Sequence, residues 1–144
     1  MIVLDTNVIS ETHKPRPDPA VLAWLNAQDL TNLYLTAVTA GELVFGVSCL
    51  DPGRRRTALG ASVRAILDED FSGRILPYDG VAAVIYGERI AEARRRGHTI
   101  GIADGQIGAI TLAHKGALLA TRDRSPFDAL GVDVIDPWMT QTPP

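Results

Sequence analysis

The sequence predicts a single α/β domain built on a central parallel sheet of four to five strands, flanked by helices on both faces. Three observations carry this. Short apolar runs alternate with longer segments of helical spacing along the whole chain, the pattern of strand–helix–strand units. Proline, glycine and Asx residues mark the joins between them. The 144 residues, 46% apolar and 22% charged, suit one domain whose core needs neither disulfide nor metal. No internal repeat and no long linker divides the chain, so the domain is expected to span residues 1–139, with 140–144 as a loose tail.

Taken in order, Ile2-Val3-Leu4 reads as a short buried strand. Asp5-Thr6-Asn7 are capping residues that turn the chain straight into a helix. Prolines at 15, 17 and 19 make 14–19 an extended loop. Residues 20–27 form a short helix, 33–36 a second strand rich in strand formers, and 37–50 a helix. Pro52-Gly53 breaks the chain before helical spacing over 54–69. A third strand covers 74–78 and ends at Asp79. Residues 81–96 form a helix with Arg94, Arg95 and Arg96 in its last turn, where they suit the dipole, and Gly97 ends it. A helix at 103–114, a fourth strand at 117–120 and a fifth, edge strand at 132–135 complete the pattern.

Composition removes several classes. The net charge of −3 argues against binding nucleic acid through bulk positive charge, but an acidic catalytic site is compatible with it. Cys49 is the single cysteine, which excludes an intramolecular disulfide and a Cys-cluster zinc site and fits a reducing compartment. The longest apolar runs, 20–25 and 81–86, are far shorter than the roughly 18 residues of a membrane span. The opening MIVLDTN lacks the basic region of a secretory signal, so a cytoplasmic protein without a membrane partner is expected.

The same map places the acids. Asp5 follows the first strand, Asp123 follows the fourth after Thr121, Asp104 opens a helix, and Glu42 lies in the first turns of the helix after strand two. In a doubly wound sheet, ligands bind at the carboxyl ends of the strands. Four carboxylates aimed at one crevice repel each other unless a cation joins them, and oxygen ligands suit Mg²⁺ or Mn²⁺. Metal-assisted phosphodiester hydrolysis is the chemistry such a site supports. Each acid also has a plain alternative: Asp5 and Asp104 as helix caps, Asp123 as a turn former, Glu42 as a solvated side chain.

At these residues the chain resembles the PIN-domain ribonucleases, and among them the VapC/FitB-type toxins of bacterial toxin–antitoxin pairs. The likeness rests on Ile2 through Glu11, on Ala37-Val38-Thr39-Ala40-Gly41-Glu42-Leu43 followed by Gly46, and on Gly53-Arg54-Arg55-Arg56. It continues through Ile102-Ala103-Asp104-Gly105-Gln106-Ile107, Leu119-Ala120-Thr121-Arg122-Asp123 and Asp136-Pro137-Trp138. The resemblance implies a PIN-like domain and a Mg²⁺-dependent endoribonuclease. Asp5 and Asp104 would be central metal ligands, with Glu42 and Asp123 completing the acidic set. Thr6, Asn7 and Thr121 would hold the carboxylates in place. It also implies an RNA substrate, a VapB-type antitoxin that blocks the acidic site, and a homodimer. Segments 18–27 and 54–69 are candidate walls for the antitoxin's groove. The chain departs from the family at one point: Asp123 stands where Asn is usual, and Pro126 where an Asp precedes the Phe matching Phe127.

Arg122 and Arg124 flank Asp123 and are the candidates for RNA phosphate contact, whereas the runs 54–56 and 94–96 read as solvated faces. His13, His98 and His114 share no ligand spacing, and an aromatic content of 6% gives little for base stacking. Three other functions stay open: an RNA-processing PIN nuclease without an antitoxin, a non-catalytic binding module, and a phospho-receiver-like acidic pocket that includes Asp79. Against the last, Lys14 and Lys115 are the only lysines and neither follows a strand.

Overall fold

Strand β1 (Ile2–Leu4) lies at the middle of the sheet, and the alternation of its side chains sets both layers of the core. The computed structural model describes residues 1–139. Its other strands are β2 (Leu33–Thr36), β3 (Ile75–Leu76), β4 (Leu118–Ala120) and β5 (Val134–Ile135). All pair in parallel, in the order β3-β2-β1-β4-β5. The helices are α1 (Thr6–Thr12), α2 (Pro19–Asn26), α3 (Ala37–Ser48), α4 (Arg54–Ala65), α5 (Gly80–Arg95), α6 (Ile102–Leu112) and α7 (Ser125–Leu130).

Successive strand residues point to opposite faces. Val3 and Leu119 therefore pack with Ala82 and Ala93 of α5, Ile107 and Ile110 of α6, and Phe127 and Leu130 of α7. Leu4, Ala120, Leu33 and Leu35 pack on the other side with Val8 and Ile9 of α1, Val21 and Trp24 of α2, Leu43 of α3 and Val63 of α4. Helices on both faces and the edge position of β5 are as the sequence predicts. The loop before α2 is held by Glu11, whose carboxylate accepts from Lys14 Nζ (2.6 Å) and from the Asp18 N–H (2.9 Å).

Several boundaries differ from expectation. The third strand shrinks from 74–78 to Ile75–Leu76 because Pro77 has no N–H to continue the ladder. Helix 54–69 is α-helical only to Ala65, then closes as a π-helical turn, Ile66–Asp70, in which the Phe71 N–H reaches Ile66 O at 2.9 Å. Pro19 belongs to α2 rather than to the loop. It sits at the first helical position, where a missing N–H costs nothing, and Asp18 caps the helix through the Ala20 N–H at 2.9 Å. Helix α7 is absent from the sequence reading: Pro126 lies in its first turn, and Gly131 ends it with a left-handed φ of 77°. The expected tail, 140–144, lies outside the described residues. No helix among the described residues is long and apolar enough to cross a membrane.

Close packing of α6 brings Asp104 to the sheet edge. A Cβ on Gly105 would sit 2.7 Å from Tyr86 Cε2 on α5, and one on Gly108 would sit 2.8 Å from Leu130 Cδ1 on α7. Gly108→Ala should therefore cost about 1–3 kcal/mol by overpacking. Gly41→Ala, on an open face of α3 with nothing within 4 Å, should gain about 0.5–1 kcal/mol. Urea unfolding of the two variants checks this, and equal effects would refute the close-approach account.

Candidate functional site

The sheet order reverses at the pair β1–β4, and the strand ends there open into a crevice. The register Leu4↔Ala120 puts Asp5 beside Thr121, and the Asp5 N–H donates to Ala120 O at 3.0 Å. Asp5 is 6% exposed, so its carboxylate needs donors. One oxygen accepts from the Thr6 N–H at 2.7 Å, which also caps α1. The other accepts from Thr121 Oγ1 (2.7 Å) and Asn7 Nδ2 (2.8 Å). Thr121 Oγ1 in turn accepts from Asn7 Nδ2 at 2.9 Å, so the three side chains close a ring.

The remaining acids join this ring from three directions. Glu42, half-buried on α3, accepts from Thr6 Oγ1. Thr36 at the end of β2 caps α3 through the Thr39 N–H (2.9 Å) and fixes the start of the helix that carries Glu42. Asp123 is exposed, and its backbone N–H donates to Thr121 Oγ1 at 3.2 Å. Asp104 stands in the first turn of α6 and shares a hollow of about 210 Å³ with Asp123.

Burial pushes the Asp5 carboxyl above its ordinary value; the hydrogen bonds from Thr121 and Thr6 oppose this, and the charges of Asp104 and Glu42 add to it. Burial also raises Asp104, with Glu42 and Asp123 pushing the same way. Asp104 and Glu42 thus act on Asp5, and Glu42 and Asp123 act on Asp104. Among the described residues they do not form a ready-made cage of three or more ligands. The donor chemistry nonetheless fits a hard divalent cation: all donors are oxygen, two are raised by burial and by like charge, and a cation relieves both.

Every acid and supporting residue expected from the sequence lies at this crevice. The two arginines do not join the network through their side chains: Arg122 lies over Trp138, and Arg124 pairs with Asp128. Asp79 lies elsewhere, as the cap of α5 through the Ala82 N–H at 3.0 Å. Sequence reasoning missed His98, Thr99 and Ser125, which line the hollow with Asp104 and Asp123. Their loops come together only in the fold, and no spacing in the sequence signals it.

The PIN domain family matches residues 2–132. The chain is 49% identical over 138 residues to VapC ribonuclease Y4jK of Sinorhizobium fredii, covering 96% of this chain and 98% of that protein. It is 41% identical to toxin FitB of Neisseria gonorrhoeae, covering 96% of this chain and 99% of that one. Among solved structures, a chain of FitAcB from Neisseria gonorrhoeae is similar with a TM-score of 0.89 at 39% identity, over 97% of this chain and 100% of that chain.

Two outcomes follow from the electrostatics. Asp104 has a raised folded value, so its ionisation destabilises the fold increasingly as pH rises from 3.8 through that value. Asp104→Asn should therefore stabilise the metal-free protein at pH 7, by up to about 1 kcal/mol after allowance for solvent screening. The gain should shrink to nothing as the pH falls below 3.8, where both states are protonated. Thermal unfolding across pH measures it, and a gain that persists in acid would contradict the cause given. Thr121→Val removes a buried donor to Asp5 at nearly constant volume and should cost about 1–3 kcal/mol in urea unfolding.

Proposed function

The chain belongs to the PIN-domain family, and on that footing we propose that it is a Mg²⁺-dependent endoribonuclease, the toxin of a type II toxin–antitoxin pair. The observation that carries this reading is the buried Asp5 carboxylate at the β1–β4 switch point, held by three donors and surrounded by the charges of Glu42 and Asp104. Asp5, Glu42, Asp104 and Asp123 would hold Mg²⁺, or Mn²⁺ in its place. When bound, the ion lowers the pKa of a coordinated water and polarises a phosphoryl oxygen. The chain's own part is orientation. Thr121, Asn7 and the Thr6 N–H fix the Asp5 oxygens, while the Thr6 hydroxyl fixes Glu42.

The similarity to toxin FitB and to the FitAcB structure supports a VapB-type antitoxin as the protein's own partner. A groove of about 720 Å³ between α3 and α4, lined by Val44, Val47, Pro52, Val63 and Leu67, is a suitable seat for it. Of the two expected walls, 54–69 lines this groove, while Leu25 and Asn26 of 18–27 line a second hollow of about 420 Å³. Phe45 and Ile102, each 69% exposed, offer apolar surface to a second copy in a homodimer. The cytoplasm is the compartment this activity requires, since its substrate is cellular RNA.

The test is cleavage of total cellular RNA by partner-free protein with Mg²⁺ or Mn²⁺, beside Asp5→Asn and an EDTA control. Discrete fragments that vanish in both controls are expected. Mg²⁺ at about 100 times its Kd should also raise stability by about 2.7 kcal/mol, with the rise lost in Asp5→Asn. If folded protein neither cuts RNA nor gains stability with either ion, the reading fails. If it gains stability without cutting, Asp123→Asn with Pro126→Asp restores the family's usual pattern, and restored cleavage would trace the defect to the fourth acid.

A further inference from the structure

The arginines on either side of Asp123 are used differently. Arg124 is engaged, with Nη1 donating to Val134 O at 3.3 Å and Nη2 pairing with Asp128 Oδ1 at 3.5 Å. Arg122 is exposed, and among the described residues its guanidinium makes no hydrogen bond and no ion pair. The Cζ of that guanidinium lies over the Trp138 ring, 5.6 Å from the centroid. Its charge reaches Glu11, but that carboxylate is already taken by Lys14 Nζ and the Asp18 N–H.

Both halves of the stack are anchored to the crevice. Arg122 directly follows Thr121, whose hydroxyl binds Asp5, and the Arg122 N–H donates to Asn7 Oδ1 at 3.4 Å. On the other side, the β4–β5 ladder ties the Thr121 N–H to Ile135 O at 3.0 Å, and Asp136 Oδ1 accepts from the Trp138 N–H at 2.9 Å. Trp138 packs half-buried against the Leu4–Ala120 side of the core. The indole is therefore a fixed surface beside the acidic site.

With neither a hydrogen bond nor an ion pair, the guanidinium over that ring keeps its five N–H donors free, in the fork that matches a phosphate. Stacking also restricts the rotamers that an unsupported arginine would lose on binding. The four acids repel a polynucleotide backbone, so a cation that those acids do not consume has a defined use at the rim.

We infer that Arg122 is a clamp for a backbone phosphate of the RNA strand, adjacent to the one that is cut, and that Trp138 is the residue that positions it. The inference rests on the ribonuclease reading above. The stack itself would bind no base, because the arginine occupies the indole face.

The experiment measures binding of a fluorescein-labelled, mixed-sequence single-stranded RNA dodecamer by anisotropy over a range of salt. It uses the full chain in an Asp5→Asn background, so that the RNA stays intact. Arg122→Ala should bind about tenfold more weakly. Its slope of log K against log salt should be shallower by about 0.7, the value for one phosphate contact on a single strand. Trp138→Leu should weaken binding severalfold, Trp138→Phe should restore most of it, and Arg122→Lys should keep the salt slope while losing affinity. The deciding measurement is the double variant: with Arg122→Ala in place, Trp138→Leu should add nothing. In protein with Asp5 intact, Arg122→Ala should raise KM with little change in kcat.

Unchanged affinity and slope in Arg122→Ala would overturn the clamp. So would an undiminished effect of Trp138→Leu in the Arg122→Ala background, which would make Trp138 a structural residue acting on its own. Should Trp138→Leu fail the accompanying thermal-unfolding check, Arg122→Lys against Arg122→Ala decides the matter through the slope. Protein that cuts RNA but is indifferent to Arg122 refutes the clamp alone, whereas protein that neither binds nor cuts RNA refutes the ribonuclease reading with it.

Discussion

An ionised carboxylate that is 6% exposed, as Asp5 is, costs several kcal/mol to bury unless donors or charges compensate. The chain supplies three donors: one from its own next backbone N–H, one from Asn7 on the first turn of α1, and one from Thr121 across the sheet. They offset the cost only in part, since burial and like charge still hold the group above its ordinary value. The Thr121 donor exists because Leu4 pairs with Ala120. A one-residue slip would turn Thr121 away from Asp5 and would also exchange Val3 and Leu4 between the two core layers. The hydrophobic effect and the site geometry therefore enforce the same register, so the core is what holds the acidic site in shape.

The rest of the crevice adds stress to this arrangement. Gly105 lets α6 press against Tyr86 and Ile90, and the residue before it is Asp104. Close packing thus brings a second carboxylate into the field of Glu42 and Asp123. No arginine or lysine side chain among the described residues pairs with any of the four acids, since the ion pairs there are Lys14–Glu11 and Arg124–Asp128. A fold that served stability alone would place a base among them. A set kept acidic and unneutralised, with two members raised, is instead one whose repulsion an incoming cation relieves, which is a common trade of stability for function.

Much of this was legible in the residues. The strands at Ile2–Leu4 and Leu33–Thr36 and the helices after them follow from apolar runs with capping residues at their ends, and those ends locate Asp5 and Glu42. The same logic places Asp104 and Thr121. It does not reach helix α7, because six residues opening with Ser125-Pro126 give too little periodicity to separate a helix from a turn. The pattern over 74–78 overstates the third strand, because an apolar run says nothing of the N–H that Pro77 lacks. The hollow shared by His98, Ser125, Asp104 and Asp123 was invisible because it joins two loops about 25 residues apart, and the Arg122–Trp138 stack because cation–π geometry leaves no trace in spacing.

The departure at Asp123 and Pro126 can be understood from α7. Pro126 lies in the first turn of that helix, where its fixed φ and missing N–H suit the fold, and Phe127 beside it is fully buried. An acid at 126 would stand in the first turn of α7, favoured there by the helix dipole. Asp123 instead hangs directly from the Thr121 hydroxyl through its N–H, and its charge reaches Asp104. Exchanging Asn and Asp for Asp and Pro keeps the number of acids while moving one from the helix end to the strand end. It also commits the helix start to proline, so the fourth charge of the crevice stands at the end of β4, where it acts on Asp104.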